Sequence, residues 1–394
     1  MLLGNFTATS CIGKGAAATL ASLLEQRSGL GRCGFETVDI ETHIGEVAGV
    51  DEARLPGNLR KFDCRNNRLA ELALQQDGFF EAVQQAAERW GRRRVGVFLG
   101  TSTAGILQTE LAYRARDPVS GALPASFEYG STHNTFSVAD YLRRRCRLEG
   151  PAVAVSCACA SSAKAFGSAR RMLEAGLIDA ALVGGVDSLC LTTLYGFHSL
   201  QLSSRAPCRP FDVARDGISI GEAAAFALLE RVPEGCDGDS VLLLGIGESS
   251  DAYHMSAPHP EGLGARRAMQ AALSSAGLAP GDIDYINLHG TGTPSNDRSE
   301  SQAVTSIFGP TTPCSSTKGA TGHTLGAAGA LEAVISALAL KNGLMPGGVR
   351  TSTIDPTLTA LYIRDNRRAP IARVLSNSFG FGGTNCSLIF GRAG

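Results

Sequence analysis

The sequence of 394 residues predicts an α/β fold built from two related halves. Two observations carry that reading. Short, continuously apolar runs alternate with helical patterns along nearly the whole chain, and one strand, loop and helix pattern occurs twice. Runs without polar alternation suit strands covered on both faces, and their alternation with helices suits an α/β sheet. In chain order these runs are Arg94–Leu99, Ala152–Ser156, Ala180–Gly185, Ala223–Leu229, Val241–Gly245, Tyr285–Leu288, Arg373–Ser376 and Cys386–Phe390. Helical spacing fills Ser162–Ala175, Ala265–Ala276 and Leu325–Leu340. The polar, turn-rich segment Val232–Asp239 separates the halves, so the expected domains are residues 1–235 and 236–394. The repeat is Val155–Ala163 against Cys314–His323. Each leaves a strand through small residues and enters an Ala-rich helix.

Composition excludes whole classes of protein. The chain carries 36 Lys+Arg against 37 Asp+Glu, a formal net charge of -1, with 44% hydrophobic residues. That apolar fraction supports a large core and argues against disorder. Balanced charge argues against nucleic acid as a partner, because broad binding needs a basic excess to displace counterions. No apolar run approaches the ~18–20 residues of a membrane span. Met1–Asn5 lacks the basic start of a secretory signal. The expectation is a cytoplasmic globular protein with no integral membrane association. Its 11 cysteines are scattered from Cys11 to Cys386, as reduced and mostly buried thiols are. The pair Cys157 and Cys159 has no second pair or His cluster at zinc spacing, so no metal is expected.

Three motifs read as decoys. Gly217–Gly221 spells the G-x-S-x-G elbow, but Ala223–Leu229 is strand-like where an elbow needs a helix. A bend between strands is expected there. Gly13–Ala18 resembles a dinucleotide loop without the acidic residue at the right distance, and reads as a turn into a helix. The basic runs Arg92–Arg94 and Arg143–Arg147 read as solvated faces.

The chemistry gathers around one Cys and two His. Cys159 lies where an apolar strand ends and a helix begins, flanked by Ala158, Ala160, Ser161 and Ser162. Unpaired N–H groups and the positive dipole end at such a place favour thiolate and can cradle an oxyanion. Histidine is scarce, seven in all, and two sit among Gly and Thr. His289 ends the strand Tyr285–Leu288 and opens Gly290–Pro294, and His323 closes Lys318–Gly322 just before a helix. A His at a strand end beside glycines suggests a site open to substrate. Part of the excess of glycine, 47 against about 28 at the usual ~7%, is gathered at these loops and at Phe379–Asn385.

These segments, with Arg209–Asp212, Arg215–Gly217 and Ser250–Met255, resemble the β-ketoacyl-(acyl carrier protein) synthases, the condensing enzymes of fatty-acid and polyketide synthesis. The resemblance covers nearly the whole chain. It implies the thiolase fold, two duplicated halves in five α-β-α-β-α layers, normally dimeric. It implies Cys159 as the acyl-accepting nucleophile and His289 and His323 as the pair that drives malonyl decarboxylation. Lys318 would support His323, with Glu300 as its carboxylate neighbour. Thr291 and Thr293 would bind the phosphopantetheine arm, Phe381 would be the gate, Phe379 would line the substrate site, and Asp251 and His254 would have secondary roles. Arg60 and Lys61 match a segment that meets the acidic carrier protein. No cofactor is implied beyond the phosphopantetheine that arrives on the carrier.

Departures from the family pattern are few. Cys157 stands where Thr or Ser is common and reads as structural. Thr103 replaces a branched apolar residue of the acyl pocket, which hints at a longer or unusual acyl chain. Ser126–Tyr129, Thr132–Ser137 and Ser188–Phe197 are similar to synthases of bacterial aryl-polyene pathways, some of which pair with a catalytically inactive chain-length partner. The partner expected is therefore a second copy or a chain-length-factor-like subunit. Two alternatives stay open at this point: a coenzyme A-dependent thiolase-type enzyme, and a non-catalytic chain-length subunit.

Overall fold

Ten strands of the computed structural model, which describes residues 1–393, fall into two sets of five. The first set is β1 (Leu2–Ser10), β2 (Val95–Gly100), β3 (Ala152–Val155), β4 (Ala180–Asp187) and β5 (Ala223–Glu230). The second is β6 (Val241–Ser250), β7 (Tyr285–Asn287), β8 (Pro313–Ser315), β9 (Arg373–Gly380) and β10 (Thr384–Arg392). In space the first set runs β3-β2-β4-β5-β1 and the second runs β8-β7-β9-β10-β6, so both follow the same third-second-fourth-fifth-first order. Directions match as well. The three outer strands of each set are parallel, and the fourth, fifth and first alternate. The duplication expected from sequence is thus a duplication of topology. A short antiparallel contact, Leu2 opposite Leu242 and Leu3 opposite Val241, joins the two sets edge to edge.

Helices complete five layers. Between the sheets lie α4 (Ser161–Glu174) and α8 (Ala328–Asn342), whose residues share one apolar cluster with both sets of strands. The outer face of the first sheet is covered by α1 (Arg65–Leu74), α2 (Phe79–Trp90) and α3 (Ser137–Arg145). On the second, α6 (Leu263–Ala276) and α7 (Pro294–Phe308) do the same. Another helix, α5 (Leu191–Ser199), packs beside the site described below. The stretch Leu325–Asn342 is apolar enough to cross a membrane by length and composition, but 89% of it is buried inside the protein. A helix apolar on all sides belongs at the centre of such a fold.

Most expected elements fall within a few residues of their observed bounds. The helix expected over Leu325–Leu340 begins later, because Leu325–Ala327 forms a 3-10 turn with Leu325 at φ +52 before α8 starts. Gly217–Gly221 is extended, bridged to Ser203 at Ile218 and ending in the two-residue strand Ile220–Gly221, so it is neither the expected bend nor an elbow, and Gly13–Lys14 pairs with the end of β1 before the helix Ala16–Leu24. Among the basic runs, exposed Arg93 pairs with Glu149 at the surface, Arg94 pairs with Asp179, and Arg143 and Arg144 both pair with Asp140. The helices α1, α2, α3 and α7 lie outside the expected set, and the longest strand that sequence reading misses is β1. Its run of Thr and Ser breaks the apolar pattern, and both threonine hydroxyls, at Thr7 and Thr9, are buried.

Close approach of helix to sheet rests on glycine at a few points. A Cβ on Gly247 of β6 would lie 1.9 Å from the Ala268 carbonyl oxygen of α6. Gly247→Ala is expected to destabilise the protein by about 1–3 kcal/mol through overpacking. A chemical denaturation midpoint equal to that of the unmodified protein would contradict this packing.

Candidate active site

Strand ends and helix starts converge at one buried place between the halves. After β3 the chain turns sharply through Ala158, held at φ +54, and presents Cys159 before α4 begins. The left-handed conformation is costly for alanine and is sustained here by the bonds around it. The Ser161 hydroxyl donates to the Ala158 carbonyl (2.5 Å) and accepts from the Cys157 N–H (2.9 Å). In the second half, the segment after the equivalent strand β8 carries Lys318 and His323, and the end of β7 carries His289. The duplicated topology is what brings these ends together.

Cys159, His289 and His323 are all buried, with their donor atoms within 4.8 Å of one another. His323 Nε2 lies 3.0 Å from Cys159 Sγ. The two imidazoles meet edge to face, centroids 5.1 Å apart, and the Phe379 ring stands 5.9 Å from that of His289. Burial pushes both histidines well below their ordinary pKa, and the positive charge of Lys318 pushes in the same direction. Both rings are therefore neutral at physiological pH. Burial also pushes the Cys159 thiol up to about 12, against the opposing pull of Lys318 and of the N–H groups of Phe381 and Cys159. The thiolate expected from a helix start is outweighed by desolvation, so the resting pair is a thiol against a neutral imidazole.

Lys318 has a different partner from the one expected. Its ammonium pairs with buried Glu332 of α8, not with Glu300. Burial raises Glu332 to about 7, with Lys318 acting against that rise. Glu300 instead accepts the N–H groups of His289 (2.8 Å) and Gly290 (2.7 Å) and the Asn377 amide (3.1 Å). It fixes the His289 loop. The family resemblance points to Glu300, whereas Glu332 sits on the helix that faces Lys318 from the central layer.

A cavity of about 580 Å³, its open mouth included, leads to the three residues. Thr291, Thr293 and Asn296 line it on the polar side, and Phe197, Leu202 and Ile218 line it on the apolar side. The Thr291 and Thr293 hydroxyls bond each other at 2.9 Å. Phe381 also lines the cavity, its ring 5.3 Å from Phe197, and the next residue, Gly382, donates its N–H to the Met255 carbonyl (2.8 Å). Asp251 also lines the cavity, whereas His254 is exposed and outside it. Arg60 and Lys61 are exposed on the 3-10 helix Gly57–Phe62 and line a separate surface cleft. Thr103 does not line the cavity. Its hydroxyl donates to Asp187 (2.7 Å) and accepts from the Ser188 N–H (2.9 Å), so its polarity serves the scaffold. Cys157 packs against the central core, as a structural residue does.

Two Nδ1 atoms bear on whether this trio is a metal site. Those of His289 and His323 are buried with no hydrogen-bond partner. Metal-bound histidines nearly always carry a partner on the second ring nitrogen. With a buried ammonium beside them as well, the residues fit a nucleophile and two N–H donors better than a cation.

A model of the β-ketoacyl synthase N-terminal domain matches residues 6–234, and one of its C-terminal domain matches residues 241–351. The chain belongs to the β-ketoacyl synthase family. Among curated β-ketoacyl synthases, the mitochondrial 3-oxoacyl-[acyl-carrier-protein] synthase of Arabidopsis thaliana is 39% identical over 261 residues, 62% of this chain and 57% of the plant protein. The 3-oxoacyl-[acyl-carrier-protein] synthase 2 of Rhizobium meliloti (strain 1021) is 37% identical over 313 residues, covering 75% and 74%. The solved ketosynthase ApeO, in complex with its chain length factor ApeC from Xenorhabdus doucetiae, matches at TM-score 0.90 and 38% identity, covering 100% of this chain and 98% of that one.

The buried ion pair gives a sharp expectation. Glu332→Gln leaves Lys318 charged without its counter-ion, a loss of about 3–5 kcal/mol where a buried pair is broken. A calorimetric scan checks it, and an unfolding transition unchanged from the parent would show that the pair carries no such weight.

Proposed function

We propose that this chain is an active β-ketoacyl-(acyl carrier protein) synthase that lengthens an acyl chain by decarboxylative condensation with a malonyl-carrier thioester. One observation carries the proposal: Cys159 Sγ stands 3.0 Å from a neutral His323, with a second neutral histidine at its side. In this reading residues 1–235 supply the nucleophile and residues 236–394 supply both histidines and the gate.

The first half-reaction is acyl transfer. Cys159 sulfur bonds to the carbonyl carbon of the incoming thioester, and the phosphopantetheine thiol leaves with the cysteine's proton. The N–H groups of Cys159 and Phe381 hold the developing oxyanion. Malonyl thioester then enters along Thr291 and Thr293, past the gate Phe381 and against Phe379. The bond to its carboxylate breaks, carbon dioxide departs, and the electron pair becomes an enolate. Neutral imidazoles of His289 and His323 donate N–H bonds to the thioester oxygen, stabilising that charge without giving up a proton. The enolate carbon attacks the acyl-Cys159 carbonyl, and Cys159 leaves as thiolate and takes up one proton from solvent water. Burial, with the charge of Lys318 acting in the same sense, keeps both rings neutral, and Glu300 holds the loop of His289.

Arg60 and Lys61 are the docking residues for the acidic carrier, which brings the phosphopantetheine; no free cofactor takes part. The likeness to a ketosynthase solved in complex with its chain length factor supports a heterodimer with such a subunit; a cytoplasmic pathway of the aryl-polyene kind belongs to the same proposal and rests on the motif likeness of Ser126–Tyr129, Thr132–Ser137 and Ser188–Phe197. A complete Cys and His pair disfavours the non-catalytic reading. Two histidines with one well-placed cysteine disfavour a thiolase-type enzyme, which normally pairs one His with two Cys.

Intact-mass spectrometry after incubation with acyl-carrier thioesters should find one acyl group, on Cys159, and none on Cys159→Ala. His289→Ala should still accept the acyl group while releasing carbon dioxide from malonyl-carrier about 100-fold more slowly, the usual cost of a lost oxyanion donor. Condensation by Cys159→Ala, or activity on acetyl coenzyme A with none on malonyl-carrier, would overturn the proposal.

A further inference from the structure

The ring of His323 lacks the bond that usually orients a catalytic imidazole. Its Nδ1 is buried with no partner, and its Nε2 faces the cysteine. Its direction must therefore come from the backbone on either side. On one side His323 is pinned by the bridge to Ile220, where its N–H donates to the Ser219 carbonyl (2.7 Å) and its carbonyl accepts from the Gly221 N–H (3.0 Å). On the other side the chain passes at once into Leu325, at φ +52, and Gly326. Leucine does not adopt that conformation freely. Something must hold the turn.

The holding group is a carboxylate at the end of β4. Asp187 is fully buried, and its Oδ2 accepts the Gly326 N–H at 2.5 Å. Its Oδ1 accepts four donors from the segment after β2: the Ser102 N–H (2.7 Å), the Thr103 N–H (2.8 Å), and the hydroxyls of Thr101 (2.9 Å) and Thr103 (2.7 Å). Five donors on one carboxylate leave no free lone pair of consequence. The junction is also crowded: a Cβ on Gly326 would lie 2.7 Å from Asp187 Oδ2, and one on Gly185 would lie 3.0 Å from the Ala327 Cα. The turn after His323 is thus drawn down onto the ends of β2 and β4 by Asp187 and admitted there by glycine.

We propose that Asp187 is a positioning residue: by gripping Gly326 it fixes the turn after His323, and so aims the His323 ring at the reacting thioester. Its charge has a second consequence. It raises the Cys159 thiol, opposing Lys318, so removing it should make the cysteine more acidic while making the histidine less well placed. A residue needed only for folding would not move the two in opposite senses.

The proposal rests on the ketosynthase reading, and the test separates the two. Asp187→Asn preserves shape and removes the charge. Its amide group can keep an oxygen toward the four donors of Oδ1 only by turning its NH2 toward the Gly326 N–H, which breaks the grip. Two rates are measured on the protein with any partner it purifies with: carbon dioxide release from malonyl-carrier, and alkylation of Cys159 by iodoacetamide across pH. The variant is expected to release carbon dioxide at least about 10-fold more slowly, as ångström-scale misplacement of a catalytic group does. Its alkylation profile should shift to lower pH. Gly326→Ala, which presses a methyl group against Oδ2 and keeps the charge, should slow carbon dioxide release without that acid shift. It also serves if Asp187→Asn fails to fold. Unchanged carbon dioxide release in either folded variant would overturn the proposal, showing that the Ile220 bridge alone places His323. If the unmodified protein itself releases no carbon dioxide, it is the ketosynthase reading that fails.

Discussion

A single buried ammonium organises this site. Lys318 sits in the core with Glu332 as its counter-ion, and its field reaches Cys159, His289 and His323 together. For the histidines that field reinforces burial, and both stay neutral. For the cysteine it opposes burial and recovers part of the nucleophile's acidity. One charge therefore sets all three residues toward the states that acyl transfer and enolate stabilisation require. Two carboxylates moderate it: Glu332 directly, and Asp187 by disfavouring the thiolate.

The fold makes such a convergence possible. Each half has the same strand order, and its third strand ends at the central layer. In the first half that end delivers Cys159 at the start of α4; in the second it delivers Lys318 and His323 ahead of α8. Neither half could assemble the site alone. Glycines at positions 100, 185 and 326 let these segments approach more closely than any Cβ would allow.

Much of this could be read from the residues. Most strands of the central sheets are continuous apolar runs, and Cys159, His289 and His323 stand out because the first two end strands and the third precedes a helix, all among small residues. The failures have physical causes. β1 was hidden because its inward hydroxyls interrupt the apolar pattern. Glu332 was hidden because it looks like one polar residue on an apolar helix, and only packing shows that it faces Lys318. Asp187 was hidden for the opposite reason, since it is the last residue of a strand and its five donors come from two other segments. Thr103 reads as a lining residue of the acyl pocket, whereas its hydroxyl is taken up by Asp187 and the Ser188 N–H, which sequence alone does not show.

The central claim is that both histidines act as neutral N–H donors beside a buried cation. Nitrogen-15 NMR of histidine-labelled protein, followed from about pH 8 to about pH 5, reports each ring's protonation directly. Resonances assigned through His289→Ala and His323→Ala should remain those of neutral imidazole across the range. Protonation of His289 or His323 near the ordinary histidine value would contradict the account.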